Sequence, residues 1–348
     1  MALTPDPFCR NKRILIGHAC AYGQKVFLDL PELPVNEYVV LHLLRSSGFF
    51  MFSKIYSDTT LSMALTLSAA AWGLYWFPLR LIESTGIEGA WSVVFFNACP
   101  LIVLTPLLIC GFKSLQGTLG PALFAAVMIG LAFTLYANGL METTVVRATL
   151  LYYLTPIWLT LIGVFWLSEP LTKKRLLSIC VAFLGLVLLL SNGDAVQHPL
   201  NIGDLFSFLS GIFWAIGIAC LKRWSTIPIL PLTTFIFIAT TAISAVFAGL
   251  LFNVPLPDIT MLKTAFPTAA VWSIIFLLPC FCIIFRVSQL LFPGRVGILT
   301  MSEVVVAMIS AAILLPEEPM LLLQWVGAFA ILFAGLIEVP FGTRKKLS

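Results

Sequence analysis

Ten apolar runs, each long enough to cross a lipid bilayer as a helix, occupy most of this sequence. They lie near residues 61–80, 91–111, 119–140, 145–167, 174–191, 203–222, 233–252, 266–285, 297–315 and 321–340. A helix needs about 20 apolar residues to cross the hydrocarbon core of a membrane. Only 10% of the residues are charged, whereas about a quarter are charged in a soluble domain. We therefore predict an all-α membrane protein with ten transmembrane helices.

The lysines and arginines of the connecting segments predict the orientation of these helices. If the helices alternate in direction, thirteen basic residues fall on the side of the N-terminus and three, Arg80, Arg147 and Lys263, fall on the other side. Cytoplasmic loops carry the excess of Lys and Arg in membrane proteins. We therefore expect both termini in the cytoplasm, with the protein in a bacterial inner (plasma) membrane.

Residues 1–57 differ in composition from the rest of the chain. They contain acidic and basic residues and lack the apolar core of a secretory signal. Residues 36–55 could form an amphipathic helix at the membrane surface. Alternatively, the true start of the protein is Met51 or Met63. We expect an N-terminal extension that is poorly ordered or that arises from a mis-called translation start.

The chain also contains an internal repeat with a period of about 142–150 residues. The matching pairs are L-S-x3-W-x6-L-[RK] at 67–80 and 209–222, an E-P pair at 168–171 and 317–320, "FLGLV" at 183–187 and "FAGLI" at 333–337, and Arg147 and Arg295. Each half holds five predicted spans, and an odd number turns the second half upside down relative to the first. We therefore predict two inverted five-helix repeats, residues 58–191 and residues 192–348, the second ending in a basic tail. Substrate sites lie between such repeats in many transporters.

The residues that close the fourth span of each half carry a resemblance to a known family. "TLLYYLTPIWLTLIGVFWLSEPLTKKR" in the first half and "RVGILTMSEVVVAMISAAILLPEEPM" in the second resemble the EamA family of the drug/metabolite transporter superfamily, over about residues 61–340. The resemblance implies a carrier of amino acids, other metabolites or drugs. It also implies a cavity lined by the first, third and fourth helices of each repeat. The family commonly has a proline in both fourth helices, but here only the first has one, Pro156. Ser302-Glu303-Val304 stand in that region of the second.

Glu303 is an isolated carboxyl group in an apolar run. It has no histidine, lysine or arginine within four residues on either side. A charged side chain inside a span is costly and marks a functional site by default, and burial disfavours the charged form of a carboxyl group. We predict that Glu303 lines the substrate cavity and couples transport to protons. The alternatives are a carboxyl group that joins two helices by hydrogen bonds, or one solvated by a cytoplasmic vestibule.

Aromatic residues around Pro156 predict one wall of the cavity. Proline removes a backbone donor and frees a carbonyl, and such a break is tolerated in a membrane only where protein or water satisfies it. Tyr152 and Trp158 flank the break, and Tyr153 is predicted to point to another face. The alternative is an ordinary kinked helix packed among its neighbours.

Polar aromatic and amide side chains extend the predicted cavity to other spans. Trp72 and Trp214 occupy equivalent positions near the middle of the first helix of each repeat, where an indole N–H needs a partner. Tyr136 and Asn138 add hydrogen-bonding capacity from the third span. Together these residues favour a cargo with an amphipathic, aromatic or carboxylate-bearing structure.

Charged residues at the ends of spans predict gates. Arg147 and Arg295 begin the fourth span of each repeat on opposite membrane faces, and either could bind a cargo carboxylate or pair with an acid as an alternating gate. Glu142 is close enough in sequence to be the partner of Arg147. Arg286 and Gln289 share one face of the eighth span. The alternative for these arginines is snorkelling to the membrane surface.

The remaining features limit the class of protein. The sequence contains no P-loop, no G-x-S-x-G and no H-E-x-x-H motif, so we predict that the chain is not an enzyme. Its cysteines and histidines lack the spacing of a metal site, no cofactor is expected, and no basic block indicates nucleic acid. The expected partners are a small-molecule substrate, the bilayer and protons, and the expected state is a monomer or a homodimer.

The sequence therefore favours a secondary active transporter that exports a small organic metabolite or amino acid by alternating access. An exchanger of sugar phosphates or nucleotide sugars is the alternative within transport, and it would require basic residues in the middle of spans. A membrane-embedded enzyme or lipid-handling protein is the alternative from another class, and it would require paired acid/base or metal groups at one depth. A channel also stays open.

Overall fold

The described part of the protein is helical throughout. The computed structural model describes residues 57–190, 200–314 and 322–338. In these ranges 84% of the residues are helical and none is in a strand, which confirms the all-α class. Residues 1–56 and the basic C-terminal tail, on which we made separate predictions, lie outside the described residues.

The described residues of the first half form eight α-helices. They are α1 (Asp58–Trp72), α2 (Trp76–Glu83), α3 (Ala90–Ala98), α4 (Leu101–Gly111, continued by a 3-10 turn at Phe112–Leu115), α5 (Leu119–Glu142), α6 (Val145–Tyr152), α7 (Thr155–Leu167) and α8 (Lys173–Leu190).

The second half, as far as it is described, contains seven more. They are α9 (Ile202–Arg223), α10 (Ile229–Val246, continued by a π-helix at Phe247–Leu251), α11 (Ile259–Ala270), α12 (Leu278–Leu290), α13 (Pro293–Thr300), α14 (Ser302–Leu314) and α15 (Leu322–Glu338). A π-helix at Val271–Leu277 joins α11 to α12.

Several helical stretches are long and apolar enough to cross a bilayer by themselves. Within the described ranges, five meet this description: Leu119–Glu142, Ile202–Arg223, Ile229–Leu251, Ile259–Leu290 and Pro293–Leu314. A sixth is obtained if α3 and α4, which bend by 48°, form one span. The other predicted ranges hold helices that are shorter or interrupted. The chain is thus an integral multi-pass membrane protein.

The outer surface is apolar, as a lipid-facing surface must be. Phe165, Leu250 and Ile109 are 83%, 82% and 73% exposed, and a soluble protein rarely exposes apolar patches of the size that such residues form together. Polar residues are instead found inside, where serine and threonine hydroxyls bond to backbone carbonyls. Thr134 of α5, for example, donates to the carbonyl of Thr240 in α10 at 3.2 Å. Such bonds join helices in a membrane.

Three interruptions bring the helix ends to the centre of the fold. They separate α1 from α2 at residues 73–75, α6 from α7 at residues 153–154 and α13 from α14 at Met301. Helix α1 packs against α12, α13 and α14, while α9 packs against α5, α6 and α7, and α7 also contacts α13. The interrupted helices therefore pack against helices of the other half of the chain.

Gly73 explains how closely the break after α1 approaches α14. A Cβ atom built on Gly73 would lie 2.5 Å from the Glu303 carbonyl oxygen and 3.0 Å from the Ala307 nitrogen. Both are backbone atoms that cannot move independently of their helix. Only glycine allows this contact, so the sequence "WGLYW" positions Trp72 beside the helix that carries Glu303.

Candidate functional site

Glu303 lies in the first turn of α14, directly after the break at Met301, and its side chain is buried, with 2% of the residue exposed. The break leaves local backbone hydrogen bonds that differ from those of a continuous helix. The Val304 N–H donates to the Met301 carbonyl, three residues earlier, at 3.1 Å. The Thr300 carbonyl accepts a hydrogen bond from the Tyr153 hydroxyl at 3.1 Å. Tyr153 therefore joins the two broken helices next to Glu303.

The polar neighbours of the Glu303 carboxyl group come from three other segments. They are the hydroxyls of Tyr153 and Tyr136 and the indole of Trp72. The Oε1 atom of Glu303 is buried and has no hydrogen-bond partner among the described residues. Glu303 also makes no ion pair within the described ranges. The carboxyl group thus faces aromatic side chains and no cation of the described structure.

A cluster of aromatic rings extends from Trp72 into the bundle. Trp72 lies 4.1 Å from Tyr75, 4.5 Å from Phe281 and 5.1 Å from Phe133, measured between ring centroids. Phe133 in turn stacks on Trp214 at 5.5 Å. The sequence predicted Trp72 and Trp214 but missed the phenylalanines, because nothing distinguishes them among the 28 phenylalanines of the chain.

Three tyrosines form a second group of rings beside Glu303. Tyr136 lies 4.6 Å from Tyr152, which lies 5.0 Å from Tyr153. The hydroxyl of Tyr136 is 3.3 Å from that of Thr149. Tyr153 was predicted to point to another face, and that prediction is wrong. Because residues 153–154 interrupt the helix, the helical spacing used in the prediction does not apply there.

The break at Pro156 is satisfied by the protein itself. Pro156 lies in the first turn of α7, so its missing N–H cannot serve the carbonyl of Tyr152, four residues earlier. The Thr155 hydroxyl donates to that carbonyl instead. Trp158 packs edge-on against Phe208 at 6.0 Å, and its buried Nε1 has no partner among the described residues.

Other predicted polar residues have different surroundings. Asn138 is buried and donates to the carbonyl of Thr134 in its own helix at 2.8 Å. The buried Nε1 of Trp214 has no partner among the described residues. Trp214 is therefore connected to the Glu303 region through Phe133 and Trp72, whereas no described contact connects Asn138 to it.

Arg147 forms a buried ion pair with Asp204, and not with Glu142 as its sequence position suggested. Its Nη2 lies 2.8 Å from Asp204 Oδ2, and both side chains are less than 10% exposed. Asp204 Oδ1 also accepts a hydrogen bond from the hydroxyl of Thr143 at 3.3 Å. Asp204 takes part in the capping box at the start of α9 as well. Glu142 is exposed, and its backbone carbonyl accepts from Asn201. Asp204 lies 57 residues from Arg147 in sequence, and the packing of α9 against α6 brings the two side chains together.

Arg295 makes the corresponding contact in the second half of the chain. Its Nη1 lies 3.6 Å from Asp58 Oδ2, and its Nη2 donates to the Ser62 hydroxyl at 2.5 Å. The Asp58 side chain is 65% exposed, so this ion pair is solvated. Asp58 and Asp204 are 146 residues apart, close to the 148 that separate the two arginines. The sequence analysis missed both aspartates, because their pairing with the arginines depends on which helices pack together.

A second pair of contacts also recurs in the two halves, with the donors 142 and the acceptors 150 residues apart. Arg80 donates to the carbonyl of Leu140 at 3.2 Å, and Lys222 donates to that of Leu290 at 2.8 Å. Arg80 and Lys222 are the basic residues that end the repeated L-S-x3-W-x6-L-[RK] motif. Two residues at matching positions of the motif thus both donate to the carbonyl of a leucine near the end of another helix.

Arg286 and Gln289 lie on one face of α12, as predicted. Arg286 Nη1 donates to Gln289 Oε1 at 2.9 Å, and Gln289 donates to the Ile227 carbonyl at 2.7 Å. These bonds connect the end of α12 to the segment before α10. Arg286 therefore acts on the packing of helix ends and has no described contact with the Glu303 region.

Comparisons with known proteins give a family match over part of the chain and a structural match over most of it. Residues 59–191 match the sequence profile of the EamA-like transporter family. A solved structure, described only as "Crystal structure of protein", is similar with a TM-score of 0.60 and 15% identity, covering 81% of this chain and 98% of that one. That likeness shows a shared fold. No curated protein matches the sequence.

Proposed function

We propose, from the premise that residues 59–191 form a domain of the EamA-like transporter family, that the chain is a secondary active transporter. It exports a small organic metabolite or amino acid by alternating access. The single observation that carries the proposal is the buried carboxyl group of Glu303, next to the hydrogen bond by which Tyr153 joins interrupted helices from both halves of the chain. It acts in a bacterial inner membrane with both termini in the cytoplasm, as a monomer or homodimer.

The architecture that this function requires is two inverted five-helix repeats, residues 58–191 and 192–348, which together make ten spans. The contacts of Arg80 and Lys222 support it, because these residues match in the repeated motif and donate to the carbonyls of Leu140 and Leu290 respectively. The helix packing supports it as well. The first helix of the second repeat, α9, packs against the third span of the first repeat, α5. In the same way, the first helix of the first repeat, α1, packs against α12 in the third span of the second repeat. Both fourth spans are interrupted, although only the first contains a proline there.

Two ion pairs act as gates on opposite faces of the membrane in this proposal. Arg147 and Asp204 form the gate on the outer face, and Arg295 and Asp58 form the gate on the cytoplasmic face. The first is buried at 2.8 Å and the second is looser and solvated at 3.6 Å. A transporter that alternates between two states needs contacts that open on one face while those on the other close.

Glu303 couples this cycle to protons. The titratable side chains that face it are Tyr136, Tyr152 and Tyr153, and none of these is a cation. A buried carboxyl group without a cationic partner can hold a proton and release it when water or a cation reaches it. Protonation and cargo binding then compete for the same group, which is the basis of export driven by a proton gradient.

The test of a carrier against a pore is counterflow in proteoliposomes. Vesicles containing the full chain are loaded with a metabolite mixture, and the release of each metabolite is followed by mass spectrometry. A carrier gives saturable release that is accelerated by the same metabolite outside. Release that neither saturates nor responds to external metabolite indicates a channel and contradicts the proposal.

A further inference from the structure

Glu303 differs from the other buried charged residues of the described structure. Five charged side chains are buried there: Arg147, Glu169, Arg175, Asp204 and Glu303. The first four form two ion pairs, Arg147 with Asp204 and Arg175 with Glu169. Glu303 is left with no ion pair among the described residues. A buried charge is normally paired, so the fifth charge lacks the partner that the other two acids have.

The surroundings of Glu303 favour a cation as this partner. The faces of tryptophan and tyrosine attract organic cations, and Trp72, Tyr136 and Tyr153 all adjoin the carboxyl group. An anionic cargo would meet a carboxyl group of the same charge and no cation to offset it. The two fourth-span arginines, which could have bound a carboxylate, contact aspartates instead.

We propose that the cargo of this site is an organic cation, an amine or quaternary ammonium group carried on an apolar or aromatic body. The proposal rests on the transport function proposed above. The cationic group pairs with Glu303, and the body lies among the rings of Trp72, Phe133 and Phe281. Trp214 offers a buried indole N–H without a described partner, which can donate to an oxygen of the cargo.

Binding of three matched probes to the full-length protein in detergent micelles tests the charge preference directly. The probes are 2-phenylethylamine, 2-phenylethanol and 3-phenylpropionate, which share a ring and are similar in length but are cationic, neutral and anionic. Calorimetry is expected to give at least about tenfold tighter binding of the amine, equivalent to about 1.4 kcal/mol. Glu303→Gln should abolish the preference, and Glu303→Asp should retain it. The matched control Glu88→Gln, which changes an exposed acid, should behave like the wild type.

Equal or tighter binding of the alcohol or the acid overturns the cation proposal, as does amine binding that Glu303→Gln leaves unchanged or no amine binding at all. Counterflow of the same probes separates this failure from failure of the transport function. An amine that binds but is not carried contradicts the transport function and leaves the cation site intact. A neutral or anionic probe that is bound as tightly as the amine and is carried contradicts the cation site and leaves the transport function intact.

A second inference comes from Glu169, which the sequence suggested only as part of a helix stop. Its side chain is buried and pairs with Arg175, and its Oε2 accepts the backbone N–H of Gly294 at 3.2 Å. Gly294 is in the first turn of α13, whose N-cap residue, Phe292, has no polar side chain. Free N–H groups at a helix start attract a carboxylate. Glu169 thus caps a helix that begins 124 residues later.

We infer that Glu169, Arg175 and the Gly294 amide form a clasp that must open when α7 and α13 separate. The inference rests on alternating access, because these two helices carry the fourth spans of the two proposed repeats. Thr160 lies beneath the clasp, since a Cβ atom built on Gly294 would be 3.2 Å from the Thr160 hydroxyl. Thr160 itself is buried.

Labelling of a cysteine at position 160 tests the clasp. Thr160→Cys is introduced into the full chain in membrane vesicles, and its reaction with a membrane-impermeant maleimide is compared with that of the same chain lacking the substitution. Glu169→Gln should increase the labelling rate at least about tenfold. Glu83→Gln should not, although Glu83 also pairs with an arginine.

The double variant Glu169→Gln/Arg175→Gln keeps the clasp proposal testable if the single variant misfolds. It removes both buried charges at once, so neither is left without the other, and it should also increase labelling. Unchanged labelling of Thr160→Cys in a folded variant of either kind overturns the clasp. Normal probe binding at Glu303 in the same variants would show that the failure concerns the clasp and not the site.

Discussion

The hydroxyl of Tyr153 donates a hydrogen bond to the carbonyl of Thr300 at 3.1 Å. Both residues lie at interruptions, Tyr153 between α6 and α7 and Thr300 at the end of α13. A backbone carbonyl freed by a break inside a membrane needs a donor, and here the other half of the chain supplies it. The bond also positions Tyr153 next to Glu303, so stability and the candidate site depend on the same contact.

Replacing Tyr153 by phenylalanine should therefore lower the stability of the protein. The change removes one hydrogen bond and leaves the buried carbonyl of Thr300 without its donor, at a cost of about 1–3 kcal/mol. The measurement is the free energy of unfolding in mixed micelles. Tyr152→Phe is the matched control, because the hydroxyl of Tyr152 makes no hydrogen bond to a described residue. Equal losses for the two variants would contradict this role of Tyr153.

The two arginine–aspartate pairs should differ in their contributions to stability. Asp204→Asn leaves the buried Arg147 without its carboxylate, which typically costs about 3–5 kcal/mol. Asp58→Asn affects a carboxylate that is 65% exposed, and the loss should be no more than about 1 kcal/mol. Thermal unfolding of the two variants in one detergent measures the difference. A larger effect of Asp58→Asn would refute the contrast between a buried and a solvated pair.

A methyl group at Gly73 should disturb the contact between α1 and α14. The added Cβ would lie 2.5 Å from the Glu303 carbonyl oxygen, so the helices would have to separate. We expect Gly73→Ala to destabilise the protein by about 1–3 kcal/mol, as overpacked sites generally do, and to impair transport. Gly120→Ala is the matched control. Nothing lies within 4 Å of a Cβ atom there, and alanine should stabilise helix α5 by up to about 1 kcal/mol. Equal effects of the two variants would exclude the steric explanation.

The sequence predicted those features that depend on local composition. Apolar runs and their spacing indicated a helical membrane protein, and the isolated carboxyl group of Glu303 marked the candidate site. The partners of charged residues could not be predicted in this way. Arg147 was expected to use its neighbour Glu142, but the buried carboxylate came from Asp204 of another helix. Pairings of this kind depend on which helices pack together. The sequence reflects them only in the similar spacing of the two arginines and of the two aspartates.

The interruptions explain the remaining differences between expectation and structure. Tyr153 was placed on the wrong face because helical spacing was applied across a break. Phe133 and Phe281 could not be chosen from the sequence, since their position depends on the packing of α5 and α12 around Trp72. Glu169 has an ordinary helix-stop context in sequence, and its contact with Gly294 depends on the packing of α7 against α13.

The most direct test of the central claim is metabolite export from proteoliposomes with and without an imposed proton gradient, comparing wild type with Glu303→Gln. If Glu303 couples transport to protons, the gradient accelerates export by the wild type. The variant then shows no response to the gradient, whatever counterflow it retains. Export by Glu303→Gln that matches the wild type under every gradient would contradict the claim.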